Sequence, residues 1–89
     1  MLNQCLVEFF GTLLFMYVIL ATGDPLAIGA ALIVAIMVGG KISGGNFNPA
    51  VTLGLTLGKR QSKNLAIPYI LSQFAGAYFA MELHKKIKF

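Results

Sequence analysis

The sequence predicts an all-α membrane protein with three transmembrane helices plus one re-entrant half-helix. Three observations carry that reading. The chain of 89 residues is 57% hydrophobic and 11% charged, with a mean hydropathy of +0.79. Its apolar residues fall into runs long enough to cross a bilayer, separated by turn signals. One further apolar run is about half that length and follows a glycine-rich stretch. A soluble domain of this size buries only about 60% of its unfolded surface and needs a polar exterior that this composition does not supply. A soluble enzyme, a nucleic-acid module and a disordered tail are therefore excluded, and a lipid bilayer is the expected surrounding. The net charge of +4 arises from Lys and Arg placed in loops and at the C-terminal end, where membrane proteins concentrate cations. No nucleic-acid partner is expected.

Taken in order, the first span covers about residues 4–22. No Lys or Arg precedes it and no small-residue cleavage pattern follows, so it reads as a span and not as a signal peptide. Thr22-Gly23-Asp24-Pro25 breaks it in a tight turn. The second span covers about 25–40. Ala27, Ala31, Ala35 and Gly39 recur every fourth residue along it, a face that lets another helix approach closely. Residues of about 41–58 form the re-entrant loop and half-helix, whose apolar part, Pro49 to Gly58, is roughly 15 Å long as a helix. The basic stretch Lys59-Arg60-Gln61-Ser62-Lys63 leads into the third span, about 65–83, with Pro68 in its first turn and small residues at Ser72, Gly76 and Ala80. The whole of 1–89 reads as one unit, multi-pass and integral to a membrane.

The half-span is the informative piece. Non-helical backbone at membrane depth must be covered by protein or line a wet cavity, so this segment predicts an enclosed polar path. Asn48 is a good N-cap and Pro49 is favoured at the first helical position, so the half-helix starts at Asn48-Pro49-Ala50. The carbonyls of Gly44, Gly45, Asn46 and Phe47, in an extended stretch, form a ladder of acceptors ending at the Asn48 amide donor. Such a line suits water or a small uncharged solute shedding its hydration shell. Glu8 costs about 2.5–3.5 kcal/mol to insert, so it needs a task. Gln4, Glu8 and Thr12 share one helix face. One alternative makes Glu8 the proton carrier of a small proton-coupled exporter. Cys5 stands alone among apolar neighbours and reads as packing. No metal site and no cofactor are expected.

Ile42-Ser43-Gly44-Gly45-Asn46-Phe47-Asn48-Pro49-Ala50-Val51-Thr52 resembles the first re-entrant loop of the aquaporin and glycerol-facilitator (major intrinsic protein) family. Glu8-Phe9-Phe10-Gly11-Thr12 resembles its first span, and Ser72-Gln73-Phe74-Ala75-Gly76-Ala77 its third. The resemblance is to the N-terminal half-repeat alone, half of an aquaporin-like bundle. It implies a channel subunit, not an enzyme. It makes Glu8, Thr12 and Gln73 the structural support of the re-entrant loop, with Asn46 where the family has a histidine. It places Ile28 where an aromatic or histidine usually joins the narrow filter, and Val51 directly after the Asn-Pro-Ala triplet. The family builds its pore from two inverted repeats, so a second copy in an antiparallel dimer, or a complementary half, is expected to complete this one, and the resemblance further implies assembly to a tetramer of pores. Four cations on one side, Lys41, Lys59, Arg60 and Lys63, face three on the other, Lys85, Lys86 and Lys88. That near-balance sets little orientation preference and is compatible with insertion both ways. A further alternative is a non-conducting accessory or truncated subunit.

Overall fold

The computed structural model describes residues 1–88 and is all-helical. Helix α1 spans Leu2–Thr22 and ends at Gly23, whose left-handed φ of 68° lets its amide reach the Ile19 carbonyl. Asp24 then caps α2, Pro25–Ser43, accepting from the Ala27 amide at 3.0 Å, with Pro25 in the first turn. Helix α2 continues three residues past the expected end near 40. Gly39 and Gly40 stay helical, and the left-handed turn comes only at Gly44, φ 92°. Helix α3, Pro49–Leu57, starts at Asn48, whose Oδ1 accepts from the Ala50 amide at 2.8 Å. A short 3-10 turn, Lys63–Leu65, leads into α4, Ala66–Lys86. Its last turn carries His84, Lys85 and Lys86, cations or potential cations set against the negative end of the helix.

Helix α1 packs on both α2 and α4, and α3 packs on α4. The two-residue connection makes α2 antiparallel to α1. Helix α4 runs parallel to α1: Glu8 meets Gln73, Phe9 meets Phe79 with ring centroids 5.7 Å apart, and Tyr17 meets His84 at 5.8 Å. The small-residue faces lie at these crossings, with Ala31, Ala35, Gly39, Gly76 and Ala80 all buried. A methyl group on Gly39 would strike the Val7 side chain. One on Gly76 would strike the Phe9 carbonyl and lie 3.2 Å from the Leu13 amide nitrogen. Gly76→Ala must therefore push two backbones apart, at about 1–3 kcal/mol. Lowered thermal stability in detergent is the expected result. Gly29→Ala, where nothing lies within 4 Å, should leave stability unchanged or raised.

The interior is polar and the exterior apolar. Glu8, Thr12, Ser43, Asn46, Thr52 and Gln73 are buried, whereas Leu6, Phe10, Met37, Val38, Leu71 and Phe74 are exposed. Water would penalise that distribution and lipid accepts it. Among the described residues two helices, α1 and α2, are long and apolar enough to cross a membrane by length and composition.

Candidate functional site

Glu8 is fully buried on α1 and accepts four hydrogen bonds. Oε2 takes the Ser43 hydroxyl at 2.7 Å and the Asn46 amide at 3.0 Å. Oε1 takes the Phe47 amide at 2.7 Å and Gln73 Nε2 at 2.8 Å. Four donors saturate the lone pairs of an ionised carboxylate, and each such bond is stronger than a neutral one. Two of the donors are backbone amides of the segment between α2 and α3. A single side chain therefore satisfies backbone groups that lipid could not.

The rest of the network ties the same segment to every helix. Gln73 Nε2 also donates to Thr52 Oγ1 on α3 at 2.7 Å. Asn46 Nδ2 donates to Thr52 Oγ1 at 2.9 Å and to Gln61 Oε1 at 3.1 Å. The Tyr69 hydroxyl donates to the Ser43 carbonyl at 2.6 Å, closing the end of α2. The side chain of Asn46 thus does not reach Glu8. Its backbone does, and the amide group serves α3 and the loop beyond it.

Segment 44–47 is not extended. Gly44 and Gly45 have φ of 92° and 66°, and Phe47, a non-glycine, has φ 56°. A left-handed phenylalanine costs on the order of 1–3 kcal/mol. Here the Glu8 bond to its amide and the burial of its ring offset that cost. The ring is 1% exposed and lies against Gly11, where any Cβ would collide with it. Phe47 therefore anchors the segment, and the tight left-handed turns replace a straight ladder of carbonyls. Thr12 is buried too, but its hydroxyl has no hydrogen-bond partner, and its Cβ packs at Gly76. It supports the α1–α4 crossing and not the re-entrant segment.

Thr52 lies level with Glu8, since Gln73 bonds both. Asn48 is one turn, about 6 Å, further along α3 and so near the height of Thr12, half way along α1. Asn48 is exposed. Its Oδ1 is engaged as the helix cap, which leaves its Nδ2 donors facing outward. Ala50 and Val51 are exposed beside it, and Pro49 is half-buried. The positive end of α3 and an amide donor therefore share one uncovered surface. Ile28 is not brought to them. It is half-buried in the first turn of α2, about 22 Å along that helix from Ser43. Sequence reasoning assigned no task to Gly11, Ser43, Thr52, Gln61 or Tyr69. Ser43 and Thr52 did carry a signal, being polar residues inside the motif that flanks the half-helix.

Among the described residues no cluster of His, Cys, Asp and Glu could hold a metal ion. A bundle of apolar-faced helices, with a capped half-helix folded back half way along them on a buried carboxylate, marks a helical membrane protein. Residues 23–88 match the family described as Major intrinsic protein, and the chain belongs to that family. It is 42% identical over 88 residues to a glycerol uptake facilitator protein-like 6 of Lactiplantibacillus plantarum, covering 89% of this chain and 41% of that protein. It is 48% identical over 58 residues to an aquaporin Z of Photorhabdus laumondii, covering 65% of this chain and 25% of that one. An aquaporin Z of Brucella melitensis is 39% identical over 95 residues, covering 90% and 42%. The chain thus spans less than half the length of these relatives. Members of the family sit in lipid bilayers and conduct water or small solutes; they are not enzymes.

Proposed function

We propose that this chain is one half of a passive pore for water or small uncharged solutes such as glycerol, completed by an inverted second copy or a complementary half. The observation that carries the reading is Asn48, exposed at the start of a half-helix that Glu8 holds half way along α1. With α1, α2 and the 21-residue α4 as spans, that height is the bilayer midplane. There Asn48 Nδ2 and the helix end orient a solute oxygen. The uncovered face of α3, Ala50, Leu53, Gly54 and Leu57, is where a completing half would pack. Pore-lining roles go to Asn48, Pro49, Ala50 and Val51, and to the backbone of Gly44 to Phe47, with Ile28 nearer the mouth. The saturated, solvent-free Glu8 is ill suited to carry protons, which argues against an exporter.

The chain alone, reconstituted in liposomes, should speed shrinkage in sorbitol shock and reswelling with glycerol. Absence of flux, with the chain inserted, would assign it to a non-conducting accessory role. Ile87→Cys in a Cys5→Ser background should label from both faces of sealed vesicles. Labelling from one face would replace the antiparallel homodimer with a distinct partner half.

A further inference from the structure

The loop between α3 and α4 carries a second polar feature, apart from the half-helix start. Helix α3 closes with a paired cap: the Lys59 amide bonds the Thr56 carbonyl at 3.1 Å and the Arg60 amide bonds the Leu55 carbonyl at 2.9 Å. Lys59 holds the left-handed position, φ 60°. The loop then surrounds an open cleft of about 680 Å³ lined by Thr56, Leu57, Lys59, Arg60, Gln61 and Lys63, among others. Three cations meet there, all exposed. The chain has three acids, and none compensates them: Glu8 is buried in its own network, Asp24 caps α2, and Glu82 pairs with Lys85 near the far end of α4. Two further polar atoms of the lining, Gln61 Nε2 and Thr56 Oγ1, are buried without any hydrogen-bond partner. Orphaned donors beside uncompensated cations call for an anionic oxygen. The C-terminal end of α3 opposes an anion by roughly half a charge, against three formal positive charges.

We propose that this cleft binds the phosphate group of an anionic phospholipid. Arg60 and the two lysines neutralise the phosphate, and Gln61 Nε2 and the Thr56 hydroxyl donate to its oxygens. A loop at the end of a spanning helix stands at headgroup depth, where each cation strengthens attraction to anionic lipid roughly fivefold. Gln61 links the site to the pore segment, because its Oε1 already accepts from Asn46 Nδ2. Headgroup binding therefore fixes the amide that holds the re-entrant loop. The inference rests on membrane placement of the chain and not on conduction.

The test is titration of the isotope-labelled full chain in maltoside micelles with dioctanoyl phosphatidylglycerol. Binding is read from the side-chain amide resonances of Gln61 and Asn46, and folding from the rest of the spectrum. Saturable shifts of both amides are expected. Lys59→Gln/Arg60→Gln/Lys63→Gln should weaken binding at least tenfold. Lys85→Gln/Lys86→Gln/Lys88→Gln, with the same change of charge, should weaken it less than twofold. A folded chain whose Gln61 amide does not move overturns the site. Equal weakening by the two triple variants reduces it to diffuse attraction. Inorganic phosphate or dioctanoyl phosphatidylcholine binding as tightly as phosphatidylglycerol overturns the anionic-lipid assignment.

Discussion

Glu8→Leu is expected to prevent stable folding of the chain. The substitution strands four donors at once: the Asn46 and Phe47 amides, the Ser43 hydroxyl and one bond of Gln73 Nε2. The hydroxyl can turn elsewhere and Gln73 keeps Thr52, but the two backbone amides have no second acceptor. Each buried orphan costs about 1–3 kcal/mol. The left-handed Phe47 loses the bond that offsets its strain. A total on the order of 5 kcal/mol rivals the whole stability of a small domain. Glu8→Gln is the milder variant. It retains one acceptor oxygen but turns an NH2 group toward donors, so about 2–4 kcal/mol is expected. Both should appear as lowered midpoints in denaturant titrations of micellar protein, Leu below Gln, with fewer functional pores per inserted chain. A Glu8→Leu chain that melts like the unmutated one would remove the carboxylate from its supporting role. Proton-driven flux in the unmutated chain, abolished by Glu8→Gln without loss of assembly, would restore the exporter reading.

Asn48→Asp is expected to turn a neutral-solute pore into one that leaks protons or cations. The fold should tolerate it, because aspartate caps a helix as well as asparagine and the Ala50 amide keeps its acceptor. The electrostatics do not. In the proposed pore two half-helix ends supply roughly one positive charge between them at the midplane. Two carboxylates would reverse its sign and remove the Nδ2 donors that orient a water file. Such barriers exclude cations and protons in pores of this kind. Val51 after the triplet is uncharged, so a pore built from two copies of this chain has no fixed cation beside it and exclusion rests on the midplane alone. Proton leak in liposomes under a potassium diffusion potential should rise at least tenfold, beside unchanged or lower water flux. Asn48→Ala keeps neutrality, loses about 0.5–2 kcal/mol of capping, and should mainly slow solute passage. Equal leak from the unmutated and Asp chains, with water conducted by both, would show that the helix ends do not guard the pore.

The sequence by itself determined what depends on neighbours along the chain. Asp24-Pro25 and Asn48-Pro49 start helices because cap and first-turn preferences are local. Every-fourth-residue small positions mark crossing faces because helical periodicity is fixed. The buried faces at Ala31, Ala35, Gly39, Gly76 and Ala80 follow from that. The cost of a carboxylate in lipid likewise marked Glu8 as engaged before any partner was known. The tertiary structure decided everything that needed a partner distant in sequence. Glu8 meets donors 35 to 65 residues away, and which of them are backbone amides could not be read from side-chain identity. Asn46 stands where the resemblance puts a histidine, and only the fold, with left-handed turns at Gly44, Gly45 and Phe47, shows that its backbone meets Glu8 while its side-chain amide goes to Thr52 and Gln61. Thr12 shares the helix face of Glu8, but a crossing helix at Gly76, not the re-entrant segment, covers it. Gly11 read as a small residue in a motif. Only the arrival of the Phe47 ring makes the absence of a Cβ there a requirement. Helical periodicity selects a face, whereas only the packed chain selects the atom that the face meets.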